Sequence, residues 1–164
     1  MNKVHRIALA GYARVGKDEA AKPLIERGYT RVAFGDIIKR QVDSLVQQHL
    51  GFSAFTEDNA QKQQIRPILE QWGEVNYDNI MAEFFGTLPQ KAVNTRLTRA
   101  REALEWVRCG GVIVEIRRPG VGPATDWERE RLEELRGTGL ITHVIENNGH
   151  IENLADKMLQ LVGV

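Results

Sequence analysis

Residues 6 to 19 read Arg-Ile-Ala-Leu-Ala-Gly-Tyr-Ala-Arg-Val-Gly-Lys-Asp-Glu, and no other stretch restricts the fold as tightly. The apolar run Ile7 to Ala10 stops at Gly11, four residues follow, and Gly16-Lys17 opens a segment with helical spacing. Strand, glycine-bounded loop and helix in that order form a phosphate-cradling loop, and the spacing Gly-x-x-x-x-Gly-Lys is complete. Gly11 and Gly16 permit backbone angles that other residues resist. The amides of the intervening Ala13, Arg14 and Val15 can therefore turn inward around a polyphosphate at the positive end of a helix. Lys17 would stand on the β- and γ-phosphates. After it the pattern asks for Ser or Thr to hold Mg²⁺, and this chain has Asp18 and then Glu19. A carboxylate there ligates a metal directly or through water, yet beside a phosphate it is also a repulsive charge. A ligand-free glycine turn between strand and helix is the plain alternative.

With 164 residues the chain is most simply one domain. It carries 22 basic and 22 acidic residues, so no global field draws it to nucleic acid or to a membrane. Its one cysteine, Cys109, excludes an internal disulfide and suits a reducing cytoplasm as a packed thiol. No apolar run approaches the thickness of a bilayer, and the first residues lack the pattern of a signal peptide. The expected location is the cytoplasm, with no membrane partner.

Beyond the loop, Lys17 to Arg27 reads as a helix ended by Gly28, with Pro23 expected to kink or shorten it. Tyr29 to Phe34 reads as a second strand with its exit at Gly35-Asp36. Asp36 is placed to cap the next helix, whose inward face is Ile38, Val42, Leu45 and Val46. An irregular stretch from Gly51 leads to a helix from about Asn59 to Trp72, with Ile65, Ile68, Leu69 and Trp72 on one side and Pro67 as another kink. Gly73-Glu74 breaks it, and Tyr77 to Phe85 forms a short helix. Lys91 to Leu97 is the weakest strand pattern, followed by a helix from Thr98 to Arg108 with Leu104 and Val107 inward. Val112 to Ile116 is a β-branched buried strand, and Arg117 to Pro123 is irregular. A charged helix from Asp126 to Arg136, a strand from Thr142 to Ile145, a turn at Asn147-Asn148-Gly149 and an amphipathic helix from Ile151 to Val162 complete the chain. Five strands alternating with helices predict an α/β doubly wound parallel sheet with helices on both faces and the glycine loop on the central strand. A helical insertion at about 51–88 is expected on the acceptor side, and a short lid at about 117–126.

Phosphoryl transfer demands positive charge on the equatorial oxygens, a metal, alignment and exclusion of water. Lys17 and the loop amides would hold the donor. Arg14 reaches over the phosphates or faces solvent. Arg117 and Arg118, in a Gly/Pro-rich segment, are placed as lid arginines or as a solvated pair. Asp36 is a base for an alcohol acceptor, or serves binding and capping alone if the acceptor is a phosphate. Arg66 and Arg96 suit bidentate grip on an anionic acceptor, or are surface arginines. Trp72 is packing, or lines an acceptor pocket with Tyr77. His5, His49, His143 and His150 lack metal-ligand spacing.

Four stretches carry a resemblance: Ala10 to Asp18; Val32-Ala33-Phe34-Gly35-Asp36 with Lys39; Arg66-Pro67-Ile68-Leu69-Glu70-Gln71-Trp72-Gly73; and Val144-Ile145-Glu146-Asn147-Asn148-Gly149. The chain resembles the phage-type deoxynucleoside monophosphate kinases and their P-loop kinase relatives, including the phage kinases of 5-hydroxymethyluracil in DNA. The resemblance implies that Lys17 and the loop bind ATP with Mg²⁺ and that Asp36, Lys39 and Arg66 face the acceptor. It also implies that Arg96 is a catalytic or acceptor arginine, that Arg117 or Arg118 belongs to a lid, and that Asn147 to Gly149 lie by the adenine. Two departures stand out. Asn94 occupies a position where these kinases carry aspartate, and Glu19 replaces threonine. The acceptor is thus a nucleotide or a modified DNA, with a non-catalytic nucleotide-binding switch as a third reading. The oligomeric state stays open, a homodimer included.

Overall fold

The computed structural model describes residues 4–163. Its centre is β1 (Arg6–Ala10), in which Ile7, Ala8, Leu9 and Ala10 are fully buried. A strand buried on both sides needs a neighbour at each edge and a layer on each face. The neighbours are β3 (Ala92–Asn94) and β4 (Val112–Arg117), both parallel to it, with Ala8 opposite Asn94 and Ala10 opposite Glu115. Adding β2 (Thr30–Val32) and β5 (Ile141–Glu146) gives a five-stranded parallel sheet in the order β2-β3-β1-β4-β5.

Successive side chains of a strand point to opposite faces, and the two faces are packed differently. Ile7 and Leu9 of β1 join Val114 and Ile116 of β4 in a cluster with Ala20, Ala21 and Leu24 of α1 (Lys17–Glu26) and Leu154 and Met158 of α7 (Ile151–Leu161). The remaining helices of this part are α5 (Ala100–Arg108), which packs on β4, and α6 (Asp126–Gly137), which packs against α5. The sheet thus has helices on both sides, as the alternation of patterns requires. The other helices are α2 (Phe34–Leu50), α3 (Asn59–Val75) and α4 (Tyr77–Gly86). Two compact units result: unit 1, Met1–Val32 with Leu88–Val164, and unit 2, Ala33–Thr87.

Several expected boundaries move, each for a local reason. β2 is three residues long because Ala33, in an extended conformation, is already the N-cap of α2. Asp36 is therefore not the cap; it lies in the first turn, where a carboxylate suits the positive end of the helix. The buried face of α2 is Phe34, Ile37, Val42 and Val46, while Leu45 is exposed. β3 ends early because the Asn94 side chain turns back and accepts the Arg96 amide at 2.9 Å. α1 runs past Pro23 to Glu26, and α3 past Pro67 to Val75, so neither proline ends its helix.

Gly73 does not break α3 either. It is buried, and a methyl group there would come within 2.9 Å of Ile38 Cδ1, so the residue is a close-packing point between two helices of unit 2. The inward face of α3 is accordingly Ile65, Leu69 and Gly73, with Ile68 and Trp72 turned outward. In α5 the buried residues are Glu102, Ala103 and Trp106, and the expected Leu104 is exposed. Trp106 closes the turn into β4 by donating its indole N–H to the Val112 carbonyl at 3.2 Å. Gly111 must lack a side chain because a methyl there would strike that indole.

Candidate functional site

The loop between β1 and α1 is held in shape from three directions. Gly11 has φ +136°, and a side chain on it would collide with the Ile116 carbonyl of β4. Gly16, at φ +103°, is the N-cap of α1, and a methyl there would lie 2.6 Å from Asn147 Nδ2. That same Asn147 amide donates to the Val15 carbonyl at 2.8 Å, so the residue that follows β5 braces the loop. Asn147 Oδ1 in turn accepts the Gly149 amide at 3.2 Å. Arg14 adopts φ +67°, a left-handed conformation costing of order 1 kcal/mol or more in a non-glycine residue, which the surrounding contacts must sustain. No side chain caps α1, so its first amides are left for another acceptor.

One anion already sits on this loop. Glu128, in the first turn of α6, reaches across 115 residues of sequence so that its Oε1 accepts the Ala13 amide at 2.6 Å. Its Oε2 accepts the Ala124 amide at 2.6 Å. The Thr125-x-x-Glu128 spacing is that of a helix capping box. Thr125 does accept the Glu128 amide, at 3.1 Å, but the glutamate serves the loop and Ala124. A carboxylate on Ala13 N–H has the charge sign of a phosphoryl oxygen and makes a short charge-assisted bond.

The loop, the end of β3 and α6 enclose a cavity of about 570 Å³. Of the sequence-predicted residues, Gly11, Ala13, Arg14, Gly16, Lys17, Asp18 and Glu19 line it, together with Arg96 and Arg118. Lys17 Nζ donates to the carbonyls of Gly11 and Tyr12 at 2.6 and 2.8 Å, folding back over its own loop. Burial holds its pKa below the ordinary lysine value, while the Glu128 and Asp18 carboxylates act the other way and Arg96 adds to the lowering. Arg118 is presented by a turn through Pro119 and Gly120 that closes with Val121 N–H on the Arg118 carbonyl at 3.2 Å, Gly120 supplying the required positive φ.

Arg117 departs from its expected place. It is the last residue of β4, and its guanidinium binds the buried Glu115 through Nε at 3.0 Å and Nη2 at 3.1 Å. Arg136 of α6 reaches the same carboxylate, its Nε at 3.1 Å, and lies 6.0 Å from the Tyr12 ring centroid of the loop. Burial disfavours the Glu115 charge, yet hydrogen bonds from Arg136 and Arg117 outweigh it and hold its pKa below the usual glutamate value of 4.5.

The remaining predicted residues, Asp36, Lys39, Arg66 and Trp72, belong to unit 2. Lys39 lies 5.7 Å from the Phe55 ring centroid, Arg66 Nε donates to Glu70 at 2.8 Å, and Trp72 Nε1 donates to Gln41 at 2.8 Å. Among the cavity residues outside the expected set are Glu128, Arg131 and Thr95. Glu128 and Arg131 sit in a helix whose charges read as a solvated face, and Thr95 sits in a short strand exit. Thr95 is 1% exposed, and its hydroxyl has no hydrogen-bond partner among the described residues.

Among the described residues no group of three or more His, Cys, Asp or Glu could hold a metal alone. Mg²⁺, however, is usually held by one or two protein oxygens plus phosphates and water. The cavity offers the Asp18 carboxylate and the orphaned Thr95 hydroxyl, which fit a cation delivered on a polyphosphate.

Solved structures of several kinases are similar to this chain in fold. Shikimate kinase from Aquifex aeolicus has a TM-score of 0.55 at 19% identity, the match covering 96% of each chain. Shikimate kinase from Acinetobacter baumannii has 0.54 at 15%, over 97% of this chain and 93% of that one. A gluconokinase from Sinorhizobium meliloti has 0.51 at 15%, over 99% and 94%. No family model and no curated protein sequence matches the chain. Among the described residues no helix is long and apolar enough to cross a membrane.

Proposed function

We propose that the chain is an ATP-dependent phosphotransferase that delivers the γ-phosphoryl group to a deoxynucleotide-type acceptor. The observation that carries this reading is the Ala13 amide binding a carboxylate inside a loop that also holds Lys17. In the proposed cycle the triphosphate takes the Ala13 amide, Glu128 is released, and Lys17 leaves the carbonyls of Gly11 and Tyr12 to pair with phosphate oxygens. Arg96, Arg118 and Arg131 line the cavity together with the Asp18 and Glu19 carboxylates, Arg131 also pairing with Glu134 at 3.1 Å, and the arginines are suited to an oxyanion-rich transition state. Mg²⁺, held through Asp18, would supply charge neutralisation on the phosphate oxygens. Asn147 and Gly149 keep the loop braced near the nucleotide, and Arg117 acts through Glu115.

By the sequence resemblance, acceptor recognition is expected of Asp36, Lys39, Arg66 and Trp72, while Arg96 lines the phosphate cavity. The deoxynucleotide reading rests on the sequence resemblance described above. A second reading, phosphorylation of the hydroxyl of 5-hydroxymethyluracil in DNA, draws support from Asp36, a carboxylate able to orient an alcohol, and from the similar structures. Those kinases are named for shikimate and gluconate, both hydroxyl compounds. A radiolabelled-ATP assay separates the cases. Label on dTMP or dGMP supports the first, label only on hydroxymethyluracil DNA supports the second and rejects the first, and ATP bound with label on neither supports a switch.

A further inference from the structure

A buried hydroxyl without a partner costs about 1–3 kcal/mol, so a fold that keeps one has a use for it. Among the described residues only two buried side-chain polar atoms lack a partner, His5 Nδ1 and Thr95 Oγ1, and only Thr95 lines the phosphate cavity. It shares that cavity with Lys17 and Asp18, in a chain whose loop lacks the hydroxyl that should follow the lysine. The other expected oxygen donor is missing too. Position 94 is Asn, and its Oδ1 is engaged with the Arg96 amide.

We infer that Thr95 supplies the absent hydroxyl. Its Oγ1, at the carboxyl end of β3, holds the cation of a bound metal–nucleotide complex, directly or through one water, alongside the Asp18 carboxylate. A hydroxyl is suited to this because it both donates and accepts, and it adds no negative charge next to the phosphates. Asp18 supplies the charge from the loop, and Thr95 supplies the neutral oxygen from the neighbouring strand. This inference rests on the kinase reading, because it presupposes that a polyphosphate enters the cavity.

The test compares wild type with Thr95→Val and Thr95→Ser by calorimetric titration of a non-hydrolysable ATP analogue, with Mg²⁺ and with EDTA, and by thermal melting of the free protein. The expected result is that Thr95→Val melts at or above the wild-type temperature, because an unsatisfied group has been removed. It should bind the metal-free analogue within about twofold of wild type and lose about tenfold in the Mg²⁺ condition. Thr95→Ser should retain the metal-dependent gain. Thr95→Ala carries the same comparison should valine fail to pack. Lower melting with unchanged binding would make the hydroxyl structural and overturn the inference. Equal weakening with and without Mg²⁺ would place it on the phosphates instead, and no change in either would also overturn it. A wild-type protein that binds no analogue in either buffer defeats the kinase reading itself, a distinguishable outcome.

Discussion

The phosphate side of unit 1 and the helical unit 2 hold their candidate residues in different ways. In the loop, position is dictated by backbone. Gly11 fits only without a side chain, Gly16 is pressed by Asn147, and Arg14 is kept left-handed. In unit 2 Arg66 and Trp72 are exposed side chains that bond to Glu70 and to Gln41, and Asp36 and Lys39 are half-buried; none is fixed by a constraint on its backbone. Backbone constraints leave a spaced signature in the sequence, whereas exposed side chains leave only residue types. The difference explains why the glycine loop is legible in this chain and the acceptor candidates are not.

The contrast can be broken most forcefully at Lys17. Lys17→Ala should cut turnover by about 10²–10³, as loss of one transition-state charge contact does, measured by steady-state kinetics with a saturating acceptor. Activity near wild type would show that the loop is scaffolding. Next is Gly16→Ala, which places a side chain at φ +103° and against Asn147. It should lower unfolding free energy by about 1–3 kcal/mol in urea titration and weaken ATP binding with it.

Glu115→Gln removes one charge from the carboxylate that joins Arg117 to Arg136. An expected loss of about 1–3 kcal/mol should appear in the same titration. The pH dependence has a defined sign. Because the folded-state pKa of Glu115 lies below 4.5, its contribution is complete above that value and falls away as pH drops through the lowered pKa. Urea midpoints of the wild type should therefore decline below about pH 4.5 more than those of Glu115→Gln.

Glu128→Gln relaxes the competitor on the Ala13 amide and should tighten ATP binding roughly threefold, since less of the protein is held in the occupied form. Weaker binding would mean that Glu128 assists the nucleotide. The smallest effect belongs to unit 2. Arg66→Ala breaks an exposed pair, shifting stability by about 0–1 kcal/mol, and should leave ATP affinity untouched while raising the acceptor KM.

Much of the fold follows from local patterns. The strand-loop-helix opening, the β-branched run Val112 to Ile116 and the central position of β1 could all be read from residue order. The failures share a cause, which is that tertiary packing overrode spacing. Gly73 looked like a break and is a contact point, and α5 turned Trp106 inward in place of Leu104. Arg117 looked free and is tied to Glu115. Neither the loop contact of Glu128, whose spacing from Thr125 reads only as a capping box, nor the unpartnered hydroxyl of Thr95 has a local signature. One is defined by an amide far away in sequence, the other by the absence of a partner.

The account rests on the Ala13 amide being the place where phosphate oxygen replaces the Glu128 carboxylate. Amide NMR of the protein, titrated with a non-hydrolysable ATP analogue, reads that place directly. The Ala13 resonance should move at stoichiometric analogue, with the Glu128 side-chain carboxyl shifting in parallel as it is released. Binding that leaves the Ala13 resonance where it was, with the carboxyl unchanged, would contradict the assignment.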